Sequence, residues 1–410
     1  MTGQWIQVEA KDGDSFSGYL ALPKNGKGPG IVLCQEIFGV NAYIQSVADH
    51  YAEEGYVVLA PDLFWRIEPG IQLGYTEKDF GRAFDLFGQF DTDKGMEDIT
   101  ECVKALRNRS EVIGKVGALG FCLGGRLAYL AAARSGVDCA VAYYGVTIDD
   151  YLVEAKDISI PIALHFAEDD QYAPPETVAK IQGALKEHEN TDIHVYPGVD
   201  HGFSRTGSSH FHRTTADLAH QRSISLFRKS MGPHYDFSDL WDKHCEYEFG
   251  TRDVDATMAT MVSEPYVNHI PTMTGGVGQI DLKRFYQHHF IPKTPKDTML
   301  IPVSRTVGEG ILVDEMVFCF THDIEIDWML PGIQPTGKRV EIPLVAIVKF
   351  RGDKLHNEHI YWDQASVLVQ IGLLDPAGLP IAGIEATHKL LDAQLPSNQL
   401  MGKWTESGNG

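Results

Sequence analysis

One stretch limits the folds open to this chain more than any other: Gly117-Ala118-Leu119-Gly120-Phe121-Cys122-Leu123-Gly124-Gly125-Arg126. Val116 to Leu119 reads as a buried strand, and Leu127 to Ala133 as a helix of small residues. Between them stands Gly-x-Cys-x-Gly, the spacing of a nucleophile elbow with cysteine in the place of serine. Such a turn has unusual backbone angles, and glycines at 120 and 124 remove Cβ atoms that would collide there. The helix N-terminus aims its unpaired N–H groups at residue 122, which favours both a thiolate and an oxyanion. A buried cysteine in a glycine-rich turn fits the same pattern, so the rest of the chain has to decide.

The surrounding rhythm supports a sheet with helices on both faces. Trp5 to Glu9 and Phe16 to Ala21 read as a hairpin turning at Asp12-Gly13-Asp14. Apolar runs follow at Gly30–Cys34, Tyr56–Ala60, Val116–Leu119, Cys139–Tyr144, Ile162–Phe166 and Ile193–Tyr196. Amphipathic segments such as Asn41–Glu54, Gly95–Arg107 and Glu176–His188 lie between them. Continuous apolar strands alternating with helices predict a largely parallel α/β sheet. Active residues then belong at the carboxyl ends of the strands.

The alternation stops after Leu226-Phe227-Arg228, and Met231-Gly232-Pro233-His234 reads as a linker. Helical patterns follow at Leu240–Phe249, Val254–Met261 and Leu282–Phe290. Alternating runs come next at Met299–Thr306, Ile311–Phe320, Val340–Phe350 and Leu355–Trp362. Helices followed by a meander predict a separate α+β domain. Two domains also suit the 410-residue length. The expected boundaries are 1–232, 233–395 and a mobile tail at 396–410.

A cysteine nucleophile needs a base, and the base an orienting acid. Asp169 and Asp170 follow the Ile162–Phe166 strand, and His201 follows the Ile193–Tyr196 strand. Cys122, an Asp and His201 thus occur in the order nucleophile, acid, histidine. Asp170 is the expected acid, with Asp169 as its competitor. Glu36 lies just past the Gly30–Cys34 strand, at the same sheet edge. A carboxylate repels a neighbouring thiolate. Glu36 therefore makes sense as a transient proton acceptor, or as an ion-pair partner while the thiol is neutral.

At this point the sequence resembles the dienelactone hydrolase family of α/β-hydrolases. The matching segments are Gln35-Glu36-Ile37-Phe38-Gly39, Gly120-Phe121-Cys122-Leu123-Gly124-Gly125, Asp170-Gln171-Tyr172-Ala173-Pro174 and Asp200-His201-Gly202-Phe203. The resemblance spans roughly Trp5 to Arg228. It implies Cys122 as nucleophile, His201 as base, Asp170 as its partner and Glu36 as the carboxylate near the thiol. The backbone N–H groups of Leu123 and Ile37 would form the oxyanion hole. The implied reaction opens a carboxylate-bearing lactone through an acyl-thiol intermediate. Family members hold the substrate carboxylate with two arginines. Arg205 falls on one of them; the other position holds Phe80, with Arg82 offset by two residues.

The second half resembles the SnoaL-like branch of the NTF2-like fold, on its helix-then-sheet order and on Glu358-His359-Ile360-Tyr361-Trp362-Asp363-Gln364 ending a strand. That resemblance implies a cone-shaped domain with a pocket. Candidate liners are His269, His322, Asp327, Trp328, His359, Tyr361 and Asp363, some of them suited to acid–base chemistry. His288-His289 and His210-Phe211-His212 lack the i, i+4 spacing of a zinc helix, so no metal and no cofactor is expected.

Acidic residues (56) outnumber Lys plus Arg (35), for a formal charge of -21, which argues against nucleic acid or an anionic membrane as partner. No signal peptide is expected at Met1-Thr2-Gly3-Gln4-Trp5, and no apolar run is long enough to span a bilayer. Six scattered cysteines without a C-x-x-C pair suit a cytoplasmic compartment. The expected function is a thiol hydrolase acting on a small lactone or ester, with a homodimer formed through the C-terminal domain as a possible assembly. The alternative is a two-domain binding or structural protein with a vestigial elbow, in which the cone domain binds a small molecule.

Overall fold

The computed structural model describes residues 3–408, and the chain divides into two compact units between His234 and Tyr235. Met1 and Thr2 lie outside the described residues, as do Asn409 and Gly410 at the end of the expected tail. The rest of that tail is almost wholly exposed, with one short helical turn at Trp404–Ser407.

Eight strands build the first unit: β1 (Gln4–Glu9), β2 (Ser15–Ala21), β3 (Gly28–Cys34), β4 (Val57–Pro61), β5 (Val112–Phe121), β6 (Ala140–Tyr143), β7 (Ile162–Ala167) and β8 (Thr191–Tyr196). They form one sheet in the order β1-β2-β4-β3-β5-β6-β7-β8. β1 and β2 make the expected hairpin, and β2 meets β4 antiparallel. From β4 to β8 every pairing is parallel. Every residue of β3, β4, β6 and β7 is buried, as continuous apolar runs require when helices cover both faces.

The covering helices are α1 (Ala42–Glu53), α2 (Glu77–Gln89), α3 (Thr92–Arg107), α4 (Leu123–Arg134), α5 (Pro175–Leu185) and α6 (Arg213–Met231). Their starts are set locally. Asn41 caps α1 by accepting from Ile44 N, and Thr76 with Asp79 forms a capping box on α2. α6 runs through to Met231, so the expected linker shrinks to the residues after it. The carboxyl ends of β3, β5, β7 and β8 share one edge of the sheet, which brings the four loops carrying the candidate residues together.

The second unit opens with α7 (Phe237–Cys245), which continues into a π-helical turn at Glu246–Gly250. Its six strands are β9 (Met261–His269), β10 (Thr274–Val277), β11 (Met299–Val307), β12 (Ile311–Thr321), β13 (Arg339–Arg351) and β14 (Lys354–Trp362), in the order β10-β9-β14-β13-β12-β11. β11 to β14 form the expected antiparallel meander. β9 departs from expectation: it pairs parallel with β14, so the sheet is mixed. The helix expected over Val254–Met261 stops at Ala259, and Met261 opens β9. Pro265 and the adjacent polar residues hide the alternation that would have announced this strand. Among the described residues no helix is long and apolar enough to cross a membrane.

Candidate active site

Cys122 stands between β5 and α4 with φ 57° and ψ −116°, a backbone conformation that side chains other than glycine rarely adopt. The surroundings hold it there. Its N–H donates to the Tyr143 carbonyl at 3.0 Å, and its carbonyl accepts from Gly125 N at 3.0 Å. A Cβ on Gly120 would stand 1.9 Å from the Gly124 carbonyl oxygen, and one on Gly124 would stand 2.2 Å from that of Cys34. The two glycines of the motif therefore let the turn close. Leu123 is the first residue of α4, so its N–H has no partner within the helix.

His201 arrives from the loop after β8. Its Nδ1 lies 2.8 Å from Asp170 Oδ2, while Asp170 Oδ1 accepts from Tyr172 N at 2.8 Å. Asp170 is thus the residue that holds the imidazole. Its competitor Asp169 instead lines the cavity that His201 also lines, with its backbone N–H donated to the Val199 carbonyl. Tying down Nδ1 leaves Nε2 as the reactive nitrogen. Burial works against a charged imidazole here. The neighbouring Cys122 sulfur and the Asp170 carboxylate more than offset it and hold His201 up to about 10. Rings of Tyr144 and Tyr172, each 4.9 Å from the imidazole, fix its position.

Glu36 is fully buried, and its partner is Arg205. Arg205 Nε donates to Oε2 at 2.9 Å and Nη2 to Oε1 at 2.8 Å, a two-pronged contact. The guanidinium also sits over the rings of Phe38 and Tyr75, 5.3 and 5.1 Å from their centroids. The two residues expected in different roles, one near the thiol and one near the substrate, are therefore joined.

A cavity of about 470 Å³ opens on this group. Cys122, His201, Arg205 and Ile37 line it together with Phe38, Phe80, Phe84 and Phe87. Phe80, at the position expected for a second arginine, adds apolar wall. Arg82 is not brought to the cavity: it sits on α2 with its guanidinium on Glu68 at 2.5 Å, both side chains being substantially exposed. The reason is helical geometry, because residues two apart on a helix face different directions.

Several residues at the cavity had no role assigned from the sequence. Tyr172, Asp200 and His210 also line it, with His210 Nδ1 2.8 Å from Asp200 Oδ2. Arg126 is buried behind it and donates to Thr147 Oγ1 at 2.7 Å, Thr147 itself being a liner. Arg126 has no carboxylate partner among the described residues. It directly follows Gly124-Gly125, yet nothing in the sequence says whether it turns in or out.

In the second unit a smaller cavity of about 40 Å³ takes in only two of the candidate liners, His269 and Trp328. Asp327 pairs with His289 Nδ1 at 3.1 Å, Asp363 caps a helix by accepting from Ala365 N, and His322 Nδ1 faces Thr336 Oγ1. Tyr361 is exposed, and His359 packs by the Tyr266 ring. Both follow from strand alternation, since Glu358 and Ile360 of β14 face the cavity and residues 359 and 361 face away.

Residues 16–231 match the dienelactone hydrolase family, more than half of the chain. Over 230 residues the chain is 42% identical to a protein of Azospirillum brasilense named "Putative carboxymethylenebutenolidase", covering 55% of this chain and 99% of that one. Over 227 residues it is 33% identical to the carboxymethylenebutenolidase of Pseudomonas putida, covering 55% and 96%. A crystal structure from Klebsiella pneumoniae, titled as that of a "Putative Dienelactone Hydrolase", superposes with a TM-score of 0.50 at 25% identity, covering 55% of this chain and 98% of that chain. All three matches leave the second unit outside.

Proposed function

This chain belongs to the dienelactone hydrolase family, and on that basis we propose that it opens a small lactone or related ester through a thioester on Cys122. The observation that carries the reading is one cavity shared by Cys122, the Asp170-held His201 and the Glu36-paired Arg205. Cys122 Sγ, its proton passed to His201 Nε2, attacks the carbonyl carbon, and the charge that develops on the carbonyl oxygen is met by the N–H groups of Leu123 and Ile37. The ring C–O bond then breaks, and the leaving oxygen takes the proton from His201 Nε2. His201 next accepts a proton from a water that attacks the thioester, returning Cys122 and releasing the ring-opened acid.

Arg205 is a cation lining the cavity that an anionic substrate can meet. It is already neutralised, so a substrate carboxylate binds it by competing with Glu36. A Glu36 carboxylate released in that way becomes a proton acceptor at the sheet edge where Cys122 lies. Phe80, Phe84 and Phe87 supply apolar wall opposite, which suits a lactone with one carboxylate and an apolar body. Arg82 has no part in this scheme.

Acylation tests the reading. Intact-mass measurement after mixing with an activated aryl ester or dienelactone should show one acyl group, lost in Cys122→Ala. Turnover without an adduct and without dependence on Cys122 would sink it.

For the second unit, a helix leading into a six-stranded mixed sheet with a small internal cavity supports the NTF2-like reading. The edge strand β11 exposes Met299, Ile301 and Val307, which supports a homodimer through this unit. Sedimentation equilibrium tests that assembly.

A further inference from the structure

The second unit carries a buried group of side chains for which lactone opening has no use. His244, near the end of α7, and Glu248, in the π-helical turn, lie one turn apart on the same face. Glu358 reaches them from β14. His244 Nε2 stands 3.1 Å from Glu248 Oε1 and 3.1 Å from Glu358 Oε1, and all three side chains are at most 4% exposed. The Tyr286 hydroxyl is 3.4 Å from the same nitrogen.

The hydrogen bonds behind the imidazole determine what faces the carboxylates. Thr260 Oγ1 donates to the Thr257 carbonyl at 2.6 Å, so its proton is committed. It therefore accepts from His244 Nδ1–H, 2.6 Å away. Nε2 is left facing two carboxylate oxygens. The two carboxylates call for positive charge between them, which either a proton on Nε2 or a metal ion supplies. A single proton on Nε2 makes one good hydrogen bond, and buried Glu358 Oε1 has no hydrogen-bond partner among the described residues.

A metal ion meets all three atoms at once. Nitrogen and oxygen ligands about 2.0–2.2 Å from one cation, at tetrahedral to octahedral angles, stand roughly 2.8–3.6 Å apart. The observed 3.1 Å separations fall within that range. The three ligand atoms lie within 4.8 Å of one another.

The cavity beside them distinguishes an ion from an organic ligand. Glu248, Glu358 and Tyr286 line it with Trp241, Phe318 and Trp328, and it measures about 40 Å³. One water needs roughly 10–15 Å³, so there is room for two or three waters and not for a substrate. His269 lines the same cavity, and its buried Nδ1 has no hydrogen-bond partner among the described residues.

We propose that His244, Glu248 and Glu358 bind a divalent first-row transition ion, with open coordination positions filled by water on the cavity side. One imidazole with two carboxylates suits Mn²⁺, Fe²⁺ or Zn²⁺ better than Ca²⁺ or Mg²⁺, which prefer all-oxygen sites. A second histidine–carboxylate group, His50, Glu54 and His220 in the first unit, is a poorer candidate. Its Glu54 already meets a cation, Arg228, at 2.7 Å.

The test uses the full chain, stripped with a chelator and titrated with Mn²⁺ or Zn²⁺ by calorimetry, with thermal unfolding recorded in parallel. The wild type should take up one ion per chain and unfold at a higher temperature when loaded. Glu358→Gln and Glu248→Gln, which keep side-chain volume, should each weaken binding at least about ten-fold, the loss that even an outer-shell partner produces. They should also lose the thermal shift. Using both keeps the test open if one variant fails to fold. Bound Mn²⁺ should show nitrogen coupling from one imidazole in its electron spin resonance spectrum. Cys122→Ala and His220→Gln should titrate like the wild type. The proposal is overturned if the wild type binds no ion at millimolar concentration, if both Gln variants bind as the wild type does, or if Cys122→Ala or His220→Gln abolishes uptake. Loss of esterase activity in Cys122→Ala bears only on the first unit, so the two readings fail separately.

Discussion

Arg205 and Glu36, 169 positions apart in the chain, form a two-pronged ion pair with side chains 4% and 0% exposed. The pair binds the loop after β8 to the loop after β3. It also compensates the charge of a cation that lines the cavity.

Breaking the pair on one side should be costly. Arg205→Met leaves a buried carboxylate without compensation and should destabilise the protein by about 3–5 kcal/mol. The double variant Glu36→Gln with Arg205→Met should recover much of that loss, because no charge is then stranded. Urea unfolding of the two singles and the double measures the coupling. Additive losses would show that the two side chains do not act as a pair. In steady-state kinetics, Arg205→Met should raise KM about ten-fold or more for an anionic lactone, the scale of a lost charge-assisted bond, and much less for a neutral ester.

Cys122→Ala should abolish lactone and ester opening while leaving the circular dichroism spectrum unchanged, because the elbow is held by Gly120 and Gly124 and by the Tyr143 carbonyl. Cys122→Ser should keep only a trace of activity, since a hydroxyl ionises far less readily than a thiol. An Ala variant with wild-type turnover would remove the nucleophile from Cys122.

Stability should fall in alkali in a manner traceable to His201. Its folded value is raised from 6.5 to about 10, chiefly against the opposing effect of burial and through Cys122 and Asp170. Between those limits the folded state keeps a proton that the unfolded state has released, so stability declines as pH rises. The contribution is full below about 6.5 and gone above about 10. His201→Gln should flatten this slope when denaturation midpoints are compared from neutral to alkaline pH. An unchanged slope would mean that other groups set it.

The first unit should work alone. Its sheet, its six covering helices and Cys122, His201, Asp170 and Glu36 all precede the boundary at His234. A fragment of residues 1–232 should stay soluble and hydrolyse a simple activated ester. A folded but inactive fragment would show that the second unit contributes to the reaction.

Much of this was legible in local pattern. A nucleophile elbow is a short-range device, so Gly120-Phe121-Cys122-Leu123-Gly124 announces itself in the chain. Apolar runs followed by short polar loops likewise put Glu36, Cys122 and His201 at strand ends. Other features lie beyond local pattern because they depend on where a side chain turns once its loop has closed. The choice of Asp170 over Asp169 was settled by the path of one loop toward His201. Arg205 met Glu36, and Arg82 turned away to Glu68. Val254–Met261 looked helical throughout, yet pairing with β14 drew Met261 into a strand. His244 and Glu248 carry the i, i+4 spacing in the sequence, but two ligands on one helical turn are common and mean little alone. Glu358 joins them because β14 presents alternate residues to the cavity, and sheet register across distant segments exists only in the folded chain.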